Sequence, residues 1–377
     1  MGTHRLICIR ADGNHEIASG HLVRCLAVAS ACQSLGMQVC FLVSEGESYS
    51  LLKGFLDSED SLRIIRLKTA AYDDLEKELP EVSGFLRSLS QKPVYLLDSY
   101  YVTERYLTTI NSLSKTAFLD DLQLFDYPVD LLVNYDVMSG ETLPAYQTAY
   151  QSSGQLLLGA AYAPLRPQFQ NNPITVREQV KNILVTTGGS DPSHFCLRFL
   201  QSVKENSSMW PFLAADIRLH LVIGKLNTDK TALYGLSDGL PLLKLHENVT
   251  DMASLMRNCD LAISAAGTTL YELCALGVPA ISFTMADNQI APARAFDAAG
   301  AIPCAGDIRR EPGAVMRSIN TFVTSMSHQS LQHCFRQNSG QSSTQHSYSA
   351  RKSAHEAMRK LVDGNGALRI AKALEKI

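Results

Sequence analysis

From Leu6 to Phe283, short runs of aliphatic and β-branched residues alternate with longer segments of helical period, and a chain patterned this way folds as parallel α/β layers. The runs Leu6 to Ile9, Val39 to Val43, Leu62 to Leu67, Val94 to Leu97, Thr116 to Leu119, Leu131 to Val133 and Gln155 to Leu158 read as strands. Their near-continuous hydrophobicity fits strands covered on both faces. Between the first two, Leu22, Leu26, Ala29 and Cys32 recur at helical spacing, and Gly36 is placed to end the helix. Three prolines then fall between Ala163 and Pro173 and forbid a regular element. The alternation restarts with Ile183 to Thr186, Ile217 to Ile223, Pro241 to Leu245, Leu261 to Ser264 and Pro279 to Phe283. Two separately wound domains are implied. The expected division is an N-terminal Rossmann-like domain over 1–163, a linker over 164–175, a second Rossmann-like domain over 176–353 and a helical segment over 354–377. The polar stretch from Ser325 to Ser349, rich in Ser, Gln and His, reads as a loop or a loosely packed helix.

Composition narrows the function. With 46% apolar and 19% charged residues among 377, ordinary cores can form. The net charge is −3 and no basic block occurs, so a protein that coats a nucleic-acid backbone is excluded and any bound nucleotide is small. The nine cysteines are odd in number, lie mostly in apolar runs and form no CxxC pair, so they read as reduced core thiols rather than a zinc ribbon or redox motif. The first apolar run breaks at Arg10 and Asp12, too early for a signal peptide, and no run reaches the roughly 18 residues of a membrane span. A cytoplasmic location without a membrane span is expected.

Ligands of open α/β sheets bind beyond the carboxyl ends of the strands, where glycine-rich turns offer N–H groups to anions. Three turns qualify. The first, Arg10 to His21, follows the first strand and brings His21 to the start of a helix, whose positive end favours the neutral imidazole that a base needs. A histidine merely satisfied by backbone is the plain alternative. Asp12, His15 and His21 have metal-binding atoms, but their spacing fits no zinc motif. The second turn, Thr187-Gly188-Gly189-Ser190-Asp191-Pro192, lets a phosphate approach the backbone. The third, Ala265-Ala266-Gly267-Thr268-Thr269 leading to Glu272, suits a diphosphate, with a carboxylate one turn in that can accept two ribose hydroxyls or simply complement the helix dipole. Asp98, Asp120 with Asp121, and Asn134 end three successive strands and suggest one lined cleft, although capping explains each singly. Asp287-Asn288-Gln289 opens a further helix after Phe283.

In this order, Ile17 to Cys25, Asp98-Ser99-Tyr100, Leu119-Asp120-Asp121, Tyr162 to Arg166, Gly188 to Pro192, Ala266 to Glu272 and Asp287 to Gln289 resemble the nucleotide-sugar hydrolases of pseudaminic acid biosynthesis and the related spore-coat polysaccharide proteins. The likeness runs from about Arg10 to Asn288 and resumes at Leu361 to Ala367, so it covers most of the chain. The resemblance implies a GT-B-like α/β fold, two Rossmann-like domains facing a central cleft with a C-terminal helix returning to the first. It implies hydrolysis of UDP-2,4-diacetamido-2,4,6-trideoxy-β-L-altropyranose, or a close analogue, to free sugar and UDP with inversion, and needs neither metal nor cofactor. Under it His21 is the base and Asp12 its acidic neighbour. Gly20, Tyr100, Asn288 and Gln289 contact the sugar, while Gly188, Gly189, Ser190, Asp191, Gly267, Thr268, Thr269 and Glu272 hold UDP. The chain departs from the family in carrying Ala18 and Ser19 before Gly20, which bears on the shape of the sugar pocket. A glycosyltransferase with a UDP-sugar donor is the alternative reading, and a non-catalytic nucleotide-sugar sensor a further one.

Overall fold

The structure, a computed structural model, describes residues 5–17, 19–44, 46–56, 62–69, 71–205, 209–210, 216–327 and 340–377. The chain forms two compact units, Met1–Gln170 with Gly364–Ile377, and Asn171–Asp363. Among the described residues no helix is long and apolar enough to cross a membrane.

The first unit is a seven-stranded parallel sheet of β1 (Leu6–Ala11), β2 (Gln38–Ser44), β3 (Arg63–Leu67), β4 (Val94–Asp98), β5 (Lys115–Leu119), β6 (Leu131–Asn134) and β7 (Gln155–Leu158) in the order β3-β2-β1-β4-β5-β6-β7. Alternation along each strand sends neighbouring residues to opposite cores. Ile7, Ile9, Val39 and Phe41 pack with Leu22, Cys25 and Val28 of the helix Gly20–Ser34. Cys8, Cys40, Leu42 and Tyr95 face Val82, Leu86, Tyr106 and Ile110 on the helices Leu79–Ser88 and Glu104–Leu113. Both faces are thus covered, as continuous apolar strands require.

The second unit is a six-stranded parallel sheet of β8 (Asn182–Thr186), β9 (Arg218–Ile223), β10 (Leu243–Glu247), β11 (Leu261–Ala265), β12 (Ala280–Thr284) and β13 (Cys304–Asp307), ordered β10-β9-β8-β11-β12-β13. Sequence reading misses β13. Its Cys-Ala-Gly-Asp is only half-buried and low in strand-forming residues, with Gly306 at φ +116°, and it is a strand because β12 templates it.

The crossing points differ from the expected ones. Residues 163–170 are not a free connector: Phe169 is fully buried in the first unit, so the first crossing falls at Gln170/Asn171. The helix Gly340–Leu361 packs on Thr269–Leu276 of the second unit and begins inside the polar stretch, and residues 328–339 of that stretch lie outside the described residues. The chain therefore rejoins the first unit at Gly364, not at 354. There the helix Gly366–Lys376 lays Ala367, Ile370, Ala371 and Leu374 against the Gly20–Ser34 helix. Gly366 lets the start of that helix pass close to the segment after β7, where a Cβ would run into the Ala163 carbonyl oxygen. All eight cysteines among the described residues are free, and seven are buried.

Candidate active site

A doubly wound sheet opens a crevice where its strand order reverses. In the first unit that point lies between β1 and β4, and Ala11 pairs with Asp98 at their carboxyl ends. The turn after β1 leads into the helix carrying His21, and Asp98 is the last residue of β4. His21 Nδ1 lies 2.5 Å from Asp98 Oδ1, with His21 3% exposed and Asp98 1%. Arg24 Nη2 is also 3.0 Å from that Nδ1. An ionised carboxylate can only accept, so the shorter contact decides: Nδ1 carries a proton, and in the neutral ring the lone pair is on Nε2. Tyr100 sets its ring edge-on to the imidazole at 4.4 Å between centroids.

Arg24, one helical turn after His21, reaches Asp98 with Nε at 2.6 Å to Oδ2 and Nη2 at 2.5 Å to Oδ1. Its Nη1 donates to Asp121 at 2.7 Å and to Tyr135 Oη at 2.5 Å. Burial opposes ionisation of Asp98, but Arg24 and His21 outweigh it and hold the carboxyl well below the usual range. Burial pushes the Tyr135 phenol far up.

Of the strand-end residues, Asp98 and Asp121 do meet, on Arg24. Asp120 lines one recess with them without bonding to Arg24, and Asn134 is not part of that lining. Asp120 accepts from the amides of Leu122 and Gln123 and from the Tyr127 and Tyr150 hydroxyls, while Asn134 donates to Tyr150. Asp120 thereby shapes the loop that displays Leu122 and Leu124. These two, with Tyr100 and Tyr101, are four of the seven large hydrophobics exposed among the described residues, and three of the four line a recess with Arg24 and Asp98.

Asp12 is placed elsewhere. It pairs with Arg10 at 2.6 Å and accepts from the Ser44 amide and hydroxyl at 2.9 and 2.8 Å, while Arg10 also forks onto the fully buried Glu78. Burial works against its charge, yet Arg10 and Ser44 lower its pKa. The carboxylate beside His21 is that of Asp98, 77 residues along the chain. Sequence reading found His21 and noted Asp98 and Asp121 only as strand ends. It gave Arg24 no role and passed over Tyr135, although the i, i+3 spacing of His21 and Arg24 on one helix was a usable signal.

In the second unit the reversal lies between β8 and β11, and both remaining turns flank it. Gly188 has φ +81°, and the loop after β9 packs beneath the turn, with the Leu226 amide donating to the Gly189 carbonyl at 2.9 Å. Ser190 is half-buried beside it. Asp191 is occupied otherwise: its oxygens accept from the Phe195 and Cys196 amides at 2.9 and 2.8 Å and cap the helix Phe195–Glu205. After β11, Gly267 has open space around its α-carbon, Thr268 is exposed, Thr269 begins the helix Thr269–Leu276 and Glu272 is half-buried in its first turn. Asn288 is exposed, and Gln289 accepts from the Met285 amide.

The profile of the glycosyltransferase family 28 C-terminal domain matches residues 182–347, which lie within the second unit. This part of the chain is similar to that domain. Over 376 residues, 98% of this chain and 97% of the other, the sequence is 26% identical to the spore coat polysaccharide biosynthesis protein SpsG of Bacillus subtilis. It is 24% identical over 235 residues to the Helicobacter pylori pseudaminic acid cytidylyltransferase and UDP-2,4-diacetamido-2,4,6-trideoxy-β-L-altropyranose hydrolase, covering 58% of this chain and 39% of that one. Among solved structures, MurG of Acinetobacter baumannii matches with TM-score 0.62 at 17% identity over 99% of this chain and all of that one. TcCGT1 in complex with UDP matches with TM-score 0.62 at 14% identity over the same shares. The fold is thus of the GT-B glycosyltransferase type, and the chain is related to polysaccharide-biosynthesis proteins.

Proposed function

We propose that the protein is a nucleotide-sugar-dependent glycosyl-transfer enzyme, with UDP held by the second unit and the sugar passed to an oxygen nucleophile deprotonated by His21. The observation that carries this reading is the buried His21–Asp98 pair at the winding reversal of the first sheet. The nucleophile's O–H gives its proton to Nε2 as its oxygen bonds to the anomeric carbon. The C–O bond to the diphosphate breaks on the opposite face, its electron pair leaves with UDP, and the configuration inverts. Helix N-termini at Thr269 and the Gly188-Gly189 turn can stabilise the departing charge. On this reading Glu272 accepts from the ribose, and Asn288 with Gln289 contacts the sugar.

A carbohydrate or other hydroxyl acceptor is the favoured nucleophile, supported by the family 28 likeness and by the exposed Tyr100, Leu122 and Leu124, an apolar rim on the recess lined by Arg24 and Asp98 that water has no use for. Water is the second reading, favoured by the partial likeness to the Helicobacter pylori hydrolase. Incubation with UDP-, CMP- and GDP-linked sugars, without and with hydroxyl acceptors such as octyl glycosides, separates them. UDP release that needs an acceptor and gives no free sugar identifies a transferase. Equal UDP and free sugar without acceptor identifies a hydrolase, and no nucleotide release under any condition removes both.

A further inference from the structure

We propose that Arg24 is a positioning residue for the base: by gripping both oxygens of Asp98 it fixes which one meets His21 Nδ1, and so fixes the tautomer and direction of the imidazole. The inference rests on His21 acting as the base and goes beyond it by assigning the group that aims it.

Asp98 ends a strand, and a carboxylate there can turn about its last bond and offer either oxygen. Here that freedom is removed. Arg24 meets the carboxylate side-on through Nε and Nη2 at 2.6 and 2.5 Å, and the Cys25 thiol lies 3.4 Å from Oδ2. Oδ1 is left as the oxygen that also receives His21 Nδ1–H. The guanidinium is itself held from its far end by Asp121 and by Tyr135 Oη. Tyr135 lies just past the end of β6 and Asp121 two residues past the end of β5, so the carboxyl ends of β5 and β6 brace the arginine that braces the end of β4. A guanidinium can make this pair of parallel bonds and a third bond away from it, whereas an ammonium has no such planar fork. Arg24 also supplies the positive charge that lets Asp98 stay ionised while buried, and an ionised Asp98 cannot donate a proton back to Nδ1. His21 and Arg24 lie on the same helix one turn apart, so their spacing is set by helix geometry.

The test combines ring-nitrogen NMR with kinetics. In protein labelled with 15N-histidine, with the His21→Asn spectrum used for assignment, neutral His21 of the wild type is expected as a single tautomer protonated on Nδ1. Arg24→Gln should populate the second tautomer and lower kcat by about 10- to 100-fold, the order of effect expected of groups that orient a working histidine. Its affinity for UDP should be unchanged. Arg24→Lys, which keeps the charge and folds more readily, should recover kcat only in part. A wild-type His21 protonated on Nε2 overturns the proposal without any variant. So does a folded Arg24→Gln or Arg24→Lys protein that loses kcat with the tautomer intact, because that is what a merely structural arginine does. If His21→Asn keeps full turnover, the base reading fails, and the ring spectra still decide whether Arg24 holds the tautomer.

Discussion

At the β1/β4 junction of the first unit the polar groups are side chains, His21, Arg24, Asp98 and Asp121, each drawing on another. At the β8/β11 junction of the second the turns are built of small residues, Gly188, Gly189, Ala266 and Gly267, and the Gly188, Ala266 and Gly267 amides donate to Thr186 Oγ1 and to the Phe283 and Ala265 carbonyls, with the Thr268 and Thr269 hydroxyls beside them. Both junctions have the same topology. Under the proposed function, the difference follows from what each would do. A proton acceptor must be one aimed atom, which takes an ionisable side chain and partners to hold it. A diphosphate spreads its charge over many oxygens and is met by several N–H dipoles, for which small residues keep the way clear.

The largest expected effect breaks the first junction alone. His21→Asn should lower kcat by about a hundredfold to ten-thousandfold. UDP affinity, measured by calorimetry, should stay at the wild-type value. Turnover near that of the wild type would make the His21–Asp98 pair a structural contact.

A smaller effect is expected from breaking the second junction through its backbone. A Cβ at Gly224 would stand 2.3 Å from the Gly188 carbonyl oxygen and 2.5 Å from that of Gly189, so Gly224→Ala must move the paired-glycine turn. A stability loss of about 1–3 kcal/mol is expected, and UDP binding should weaken by roughly tenfold, equivalent to about 1.4 kcal/mol. The tautomer of His21 should not change. A folded Gly224→Ala protein with normal UDP affinity removes the Gly188-Gly189 turn from the nucleotide site.

The smallest effect, a graded one, comes with acid. Asp12 and Asp98 have folded pKa values below the ordinary Asp value of about 3.9. Their contribution is therefore complete above that value and is lost as pH falls through the lower folded values. Both lie in the first unit, buried against Arg10 and Arg24. The ion pairs of the second unit among the described residues each have a partner at least 34% exposed and are worth little. Hydrogen exchange resolved by unit should show the first sheet losing protection below about pH 4, ahead of the second. Loss in the second unit first would show that the buried pairs do not set acid stability.

Much of this was legible along the chain. Twelve of the thirteen strands among the described residues announce themselves as apolar runs, and the turns bearing His21, Gly188 and Gly267 follow such runs directly. The fourth residue of the Gly188-Gly189-Ser190-Asp191 turn was less readable, because an aspartate before a helix is equally a cap, and capping is what Asp191 does. Asp12 illustrates the same limit. It is close to His21 in sequence, but it follows a buried strand whose Arg10 needs a counter-charge, and it is drawn to Arg10 and Ser44 instead.

By itself the sequence determined which apolar runs are strands, where the helical-period segments lie between them and which turns follow the strands, because burial on both faces and helical period are written in neighbouring residues. Only the tertiary structure decided partnership. β4 lies beside β1 because the winding reverses there, and that placement, rather than any local pattern, sets Asp98 against His21 and Arg24 across more than seventy residues. It also made a strand of Cys304–Asp307, whose own residues prefer no such form, since an exposed row of β12 N–H and C=O groups needs a partner whatever its side chains.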